Sequence, residues 1–400
     1  MLKNIIKKQM QYCANNYNSI PISFKQGIDI FLFDNNGKSY YDFLAGYGAV
    51  NQGHCHPYIV SAMQEQSKKL TLTSRACYND KLADYSEKIC KLFNYDKVLP
   101  TNTGVEAGET AIKMARAWGY MKKNIEKNNA KVVFANNNFW GRTIAAASSS
   151  SDPLAYNNYG PYTPGFIKVP YNNIDALRDV LANDKDICAI MLEPIQGEGG
   201  IIIPDNDYLI KVKELCKTFE VLLICDEVQT GLGRTGKLIC SEHFDIKPDI
   251  LLLGKALSGG LLPVSAVLSR EDVIDCILPG SHGSTYGGNP LACVVASASL
   301  DVLQNENLTE NALEIGKIFR DSIDVKKYSF IKEVRGMGLM NGMEFHDEKI
   351  AKKLCEKLLE NKIFAKPTKE NIIRFTPPLT ISNQQMNNAL DKIELSLRQI

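Results

Sequence analysis

Between Lys131 and Ser269 short apolar runs alternate with segments of helical periodicity. The runs are Lys131–Ala135, Phe166–Val169, Ile187–Glu193, Val221–Asp226, Asp249–Lys255 and Val264–Leu268. They are almost continuously hydrophobic and lack period-two alternation, which predicts strands covered on both faces of a mainly parallel sheet. Between them Ile174, Leu177 and Leu181 recur at helical spacing, as do Leu209, Val212, Leu215, Cys216 and Phe219. The pattern predicts an α/β domain of three α/β/α layers.

After Pro290 the pattern changes. Helical stretches at Leu291–Gln304 and Leu308–Asp324 precede strand-like Ile331–Val334 and Met343–Phe345. A helix near Glu348–Leu359, a strand at Asn371–Phe375 and a helix from Asn383 complete a smaller α+β unit. Near the start, Ile28–Phe33 and Ser39–Phe43 flank Asp34-Asn35-Asn36-Gly37 and predict a hairpin. We read residues 1–47 as an N-terminal segment, 48–305 as the large domain and 306–400 as the small one, with the first and last segments packed together. Ser148–Ser151 and the stretch to Pro164 read as a mobile connection.

Composition narrows the class. Across 400 residues, 46 Lys plus Arg against 45 Asp plus Glu leave a formal charge of +1, giving no support for a nucleic-acid or anionic-membrane partner. No apolar stretch approaches the roughly 20 residues that span a bilayer. The 11 cysteines are odd in number and show no zinc spacing, so reduced, buried thiols and a reducing compartment are expected. The N-terminal residues lack the features of a secretory or transit peptide, which makes cytoplasmic the default. His54 and His56 flank Cys55 with no acidic third ligand in view, so a structural role is expected and no metal.

The chemistry centres on Lys255, which closes the run Ile250–Gly254 and opens onto Ala256–Gly260. An ammonium is costly at the mouth of a buried strand, and desolvation lowers its pKa until the neutral amine can attack a carbonyl. A second apolar run ends in Asp226-Glu227. A lysine and an aspartate on neighbouring parallel strands would suit pyridoxal phosphate, the lysine taking its aldehyde and the carboxylate its ring nitrogen. Thr101–Gly108 leads into an amphipathic helix whose free N–H groups would make a phosphate cradle; simple capping by Thr101 or Thr103 is the alternative. Phe139 and Arg142 follow a strand at the edge where such sheets bind ligands, and read either as ring-stacking and carboxylate-holding groups or as a packed aromatic beside a solvated arginine. Arg374 lies between apolar neighbours and needs a partner, for which Glu198 is the candidate. Gly231-Leu-Gly233-Arg-Thr-Gly236 matches a dinucleotide fingerprint in letters, but Asp226–Thr230 separates it from the strand and no amphipathic helix follows. A nicotinamide oxidoreductase is therefore the remote alternative.

Several long segments occur together and in order: Asn51–Pro57, Asn102–Thr110, Asn138–Thr143, Glu193–Gly200, Asp226–Gly236, Leu252–Gly260 and Gly283–Leu291. With them the chain resembles the class III pyridoxal-phosphate aminotransferases of fold type I over nearly its whole length, and within that family the ornithine δ-aminotransferase group. The resemblance implies Lys255 as the Schiff-base lysine, Asp226 on the pyridinium nitrogen, Gln229 on the ring hydroxyl and Phe139 stacked on the ring. It implies backbone N–H groups of Gly104 and Val105 on the phosphate. Ser284 and Thr285 would reach that phosphate from a neighbouring subunit, making a homodimer with shared sites. For ornithine and 2-oxoglutarate as substrates, it implies Tyr17 and Arg142 on the α-carboxylate of ornithine, Tyr47 filling space, and Glu198 masking Arg374 until 2-oxoglutarate arrives. Acetylornithine and 4-aminobutyrate aminotransferases are the nearby alternatives within the family.

Overall fold

A seven-stranded sheet occupies the middle of the chain in a computed structural model that describes all residues 1–400. Its strands run in the order Lys97–Thr101, Ser265–Ser269, Ile250–Leu253, Leu222–Asp226, Ile187–Leu192, Lys131–Ala135 and Phe166–Val169. From Ile250–Leu253 onward the neighbours are parallel, whereas Ser265–Ser269 is antiparallel to both of its own. The inner strands Ile187–Leu192, Leu222–Asp226, Ile250–Leu253 and Ser265–Ser269 are buried at every position. Alternate residues serve opposite layers: Leu222 and Ile224 join Ala111, Met114 and Phe134, while Leu223 and Cys225 join Leu177, Leu209 and Val212.

Each of the six predicted apolar runs coincides with one of these strands to within two residues at either end. The seventh, Lys97–Thr101, is half-buried and holds Pro100. Proline lacks an N–H to donate, so it is tolerated at a sheet edge, and its presence masks the strand pattern.

A second sheet, wholly antiparallel, orders Ile331–Met337, Met340–Phe345, Ile372–Phe375 and Lys366–Lys369. Helices Leu308–Ser322, Glu348–Glu360 and Asn383–Leu397 belong to the same half of the chain. The N-terminal segment forms a third sheet, in which Phe31–Asp34 and Ser39–Asp42 pair antiparallel as the expected hairpin, but the extent of its first strand is corrected. Ile28–Phe33 is not one strand: Phe24–Ile28 and Phe31–Asp34 pair antiparallel around Asp29, which turns the chain at φ 50°. The third strand, Ser39–Asp42, pairs parallel with Ile363–Phe364. Phe43 packs edge-on to Phe375 at 6.0 Å, within a core that also holds Phe319, Phe345 and Ile393. The stretch read as a mobile connection carries short helices at Ile144–Ser149 and Pro153–Tyr156. No helix is long and apolar enough to cross a membrane.

Candidate active site

Lys255 follows the Ile250–Leu253 strand through Gly254 and opens a short turn, Lys255–Ser258, with its own φ at 44°. A positive φ at a residue with a side chain is strained and persists where the surroundings over-determine it. Asp226 closes the adjacent parallel strand, in register with Leu252. Both groups therefore stand at the carboxyl ends of neighbouring strands, the edge at which open α/β sheets hold ligands. Surrounding protein brings the Lys255 amine down to about 8: burial is the main cause, opposed chiefly by Glu198 and assisted by Arg374. Burial pushes Asp226 up to about 6, against the N–H of Val228 and the charge of Lys255. A cleft beside Lys255 is lined by Thr103, Gly104, Ser258 and Gly260.

The helix Gly104–Met121 begins at that cleft. Thr103 caps it through Glu106 N–H, while Thr101 instead meets Ser265 Oγ at 2.6 Å. Capping and cradle coexist, because the amides of Gly104 and Val105 have no acceptor within the chain. A side chain at position 104 would put its Cβ 2.9 Å from Val228, so the close approach requires glycine. Ser284 and Thr285 are exposed, and Ser284 Oγ accepts from Asn102 Nδ2 of its own chain at 3.1 Å.

A larger cleft is lined by Phe139, Arg142, Glu198 and Lys366. The Arg142 guanidinium lies 5.3 Å from the Phe139 ring centre. Arg374, almost wholly buried, donates from Nη1 to Glu198 Oε1 at 2.7 Å and to Gln229 Oε1 at 2.8 Å. Gln229 closes the triangle by donating to Glu198 at 3.3 Å. Burial alone would raise the Glu198 carboxyl, but Arg374 beside it holds it below its usual value. Tyr47, at φ 62°, lies under the Arg374 guanidinium, 5.3 Å from ring centre to Cζ. Tyr17 is 70% exposed and makes no hydrogen bond within the chain, although Asn18 and Ser19 next to it line the cleft. Of the residues singled out from sequence, Tyr17, Arg142, Ser284 and Thr285 are thus exposed, and of these four only Arg142 lines the cleft.

Two further groups border the site without having been singled out. Glu193 accepts from Phe139 N–H and Gly197 N–H, both at 3.0 Å, and so ties the Phe139 loop to the Glu198 loop. Burial, then the nearby Asp226 charge, pushes its carboxyl up to about 8. A carboxylate closing an apolar strand is the same signal that marked Asp226. Asp42 accepts from Leu44 and Ala45 N–H and from His54, holding the turn that presents Tyr47. His56 meets Glu306 at 2.9 Å. The glycine run Gly231–Gly236 starts no helix; its Arg234 is buried and donates to Leu339 O, Pro377 O and Asn51 Oδ1.

Comparison with known proteins adds the decisive observation. The profile described as "Aminotransferase class-III" matches residues 12–397. The chain belongs to that family. An ornithine aminotransferase, mitochondrial, of Drosophila ananassae is 52% identical to it over 395 residues, covering 99% of this chain and 91% of the relative. A crystal structure of the ornithine aminotransferase from Toxoplasma gondii superposes with a TM-score of 0.98 at 45% identity, covering 100% of this chain and 95% of that one. An acetylornithine aminotransferase from Elizabethkingia anophelis gives a TM-score of 0.92 at 47% identity, covering 100% and 99%.

Class III aminotransferases use pyridoxal phosphate, and the residues here fit it. Lys255 is half-buried and Asp226 buried, and neither has a salt-bridge partner. The unpartnered amides of Gly104 and Val105 add an anion site of the right kind at a helix start.

Proposed function

We propose that this aminotransferase moves the δ-amino group of L-ornithine to 2-oxoglutarate. The products are glutamate and glutamate 5-semialdehyde, which closes to pyrroline-5-carboxylate. The Glu198–Arg374 pair carries this reading. With its guanidinium occupied, Arg374 is closed to the α-carboxylate of an incoming amino acid, so an ω-amine is directed to Lys255 instead.

When bound, pyridoxal phosphate supplies an aldehyde that accepts the amine and a ring that draws off electrons as a proton leaves the adjacent carbon. Lys255 holds that aldehyde at rest. A pKa of about 8 leaves an appreciable neutral fraction near pH 7, so the freed amine serves as the base that takes the proton from the δ-carbon. Asp226 would hold the protonated ring nitrogen, a cation that favours the ionised carboxylate which burial disfavours. Gly104 and Val105 would hold the phosphate, with Phe139 and Gln229 as the residues for the ring and its hydroxyl.

Arg142 and Tyr17 hold the α-carboxylate of ornithine, and Tyr47 fills the remaining space. In the second half-reaction Glu198 swings off, Arg374 takes the α-carboxylate of 2-oxoglutarate and Arg142 the distal one. Ser284 and Thr285 of a second copy complete each phosphate site in a homodimer, which gives a purpose to their exposure. The 11 free cysteines suit a reducing compartment, and we place the protein in the cytoplasm.

The similarity to the Elizabethkingia protein favours acetylornithine as the second reading. Half-reactions with ornithine, acetylornithine, lysine and 4-aminobutyrate, run side by side, separate the two. Fastest conversion is expected with ornithine; fastest conversion of acetylornithine would overturn the proposal.

A further inference from the structure

Lys366 is a cation at the site that no carboxylate of the chain neutralises. It starts the strand Lys366–Lys369 and stands directly across from Arg374 in antiparallel register. Two positive side chains at facing positions repel unless each is compensated. Arg374 has Glu198. The ammonium of Lys366, half-buried, makes one hydrogen bond, to Tyr47 Oη at 3.2 Å. The Tyr47 ring stands close to both cations, with Lys366 Nζ 5.8 Å and Arg374 Cζ 5.3 Å from its centre.

The donor count then dictates what the tyrosine can do. An ammonium has three donors and no acceptor, so the phenol oxygen must be the acceptor in this bond. The Tyr47 proton is left free to point elsewhere, and no group of the chain accepts it. Asp42 holds the amides of Leu44 and Ala45 and so fixes the turn from which Tyr47 projects. Lys366 itself lines the same cleft as Arg142. The site therefore offers an uncompensated positive charge on the wall of the cleft that also carries Arg142, and beside that charge a hydroxyl whose proton is free for a ligand. A carboxylate is the ligand chemistry that satisfies both.

We propose that Lys366, acting with the Tyr47 hydroxyl, determines the preference of this site for amines bearing a carboxylate at the far end. This rests on the ornithine reading above and adds a positioning residue to it. Lys366 holds Tyr47 as a donor to the α-carboxylate and supplies part of the charge that draws the substrate in.

The test uses the holoenzyme and the substrate pair ornithine and 1,4-diaminobutane, which differ by the carboxylate alone. Losing a charge-assisted contact to the carboxylate is expected to cost about tenfold. In Lys366→Met the ratio of kcat/KM for ornithine to that for 1,4-diaminobutane falls about tenfold, through the KM for ornithine. Lys366→Arg restores the ratio, and adding Tyr47→Phe to Lys366→Met lowers it little further, since the two act as one unit. Equal loss on both substrates, or no change on either, would overturn the proposal. A wild-type protein that ignores ornithine and converts acetylornithine would instead overturn the substrate reading. The comparison of acetylornithine with N-acetyl-1,4-diaminobutane would then read Lys366 alone.

Discussion

Glu198 and Arg374 meet at 2.7 Å with unequal access to solvent: the arginine side chain is 1% exposed and the glutamate 28%. Gln229 bonds both, at 2.8 Å to the arginine and at 3.3 Å to the glutamate, so the more exposed and more loosely held carboxylate is the one placed to leave. On the proposed reading this asymmetry makes a gate with a fixed cation and a movable cover.

Removing the cover exposes the cation. In Glu198→Ala the ornithine half-reaction is expected to slow by about tenfold or more, because Arg374 then competes for the α-carboxylate. The KM for 2-oxoglutarate should fall in the same variant. Stopped-flow measurement of each half-reaction checks this; a parallel fall in both rates would mean that Glu198 is only structural.

On the proposed reading, Tyr47 limits the space and the polarity at the far end of the substrate. Tyr47→Ile should raise activity with 4-aminobutyrate, which lacks an α-carboxylate, relative to ornithine. Competition between the two substrates gives the ratio directly, and an unchanged ratio would remove Tyr47 from the specificity argument.

Lys255 is expected to be the covalent attachment point. Borohydride reduction of the holoenzyme followed by peptide mapping should place the label on Lys255, and Lys255→Ala should lose both the label and the visible absorption of the bound cofactor. A label on another lysine would contradict the assignment.

Asp226 makes the cofactor-free protein sensitive to pH. Its folded pKa, about 6, lies above the ordinary aspartate value of 3.8. The unfolded chain therefore binds fewer protons between these values, and stability falls as pH rises from about 4 to about 6. A shift of about two units corresponds to about 3 kcal/mol. Without cofactor, Asp226→Asn should melt higher than wild type at pH 8, and the gap should narrow as pH falls to 5. Thermal denaturation of both proteins across that range is the measurement; a constant gap would show that the carboxyl is not titrating there.

Arg234 links three parts of the chain by donating to Asn51, Leu339 and Pro377. Arg234→Ala leaves these acceptors unpaired in a buried place, at a cost of about 3 kcal/mol or more. Denaturant unfolding should show the loss even where pyridoxal phosphate still binds.

The legible features were those that solvent exclusion writes into local sequence. Strands covered on both faces must be apolar throughout, so the runs around Ile190, Ile224 and Leu252 stood out unaided. Lys255 and Asp226 stood out for the complementary reason, as charges ending such runs. Phe139 and Glu198 were legible as candidates from their places after a strand and opposite a buried arginine, but the resemblance to a family was needed to give them roles, because an aromatic or a glutamate in a loop has many ordinary explanations.

Other features depend on residues far apart in the chain. Lys366 and Tyr47 are separated by 319 residues, and Arg234 and Asn51 by 183. Nothing in the polar stretch around Lys366 sets it apart from a solvated surface lysine. The split of Ile28–Phe33 around Asp29 likewise follows from the pairing of Phe24–Ile28 with Phe31–Asp34 and from the bridge between Asp29 and His54. The amino-acid sequence by itself determined the layered core and the amine and carboxylate at its edge, since hydrophobic burial is set by local composition. Tertiary structure alone decided which charges are compensated, because the pairing of Arg374 and the isolation of Lys366 exist only after distant strands meet.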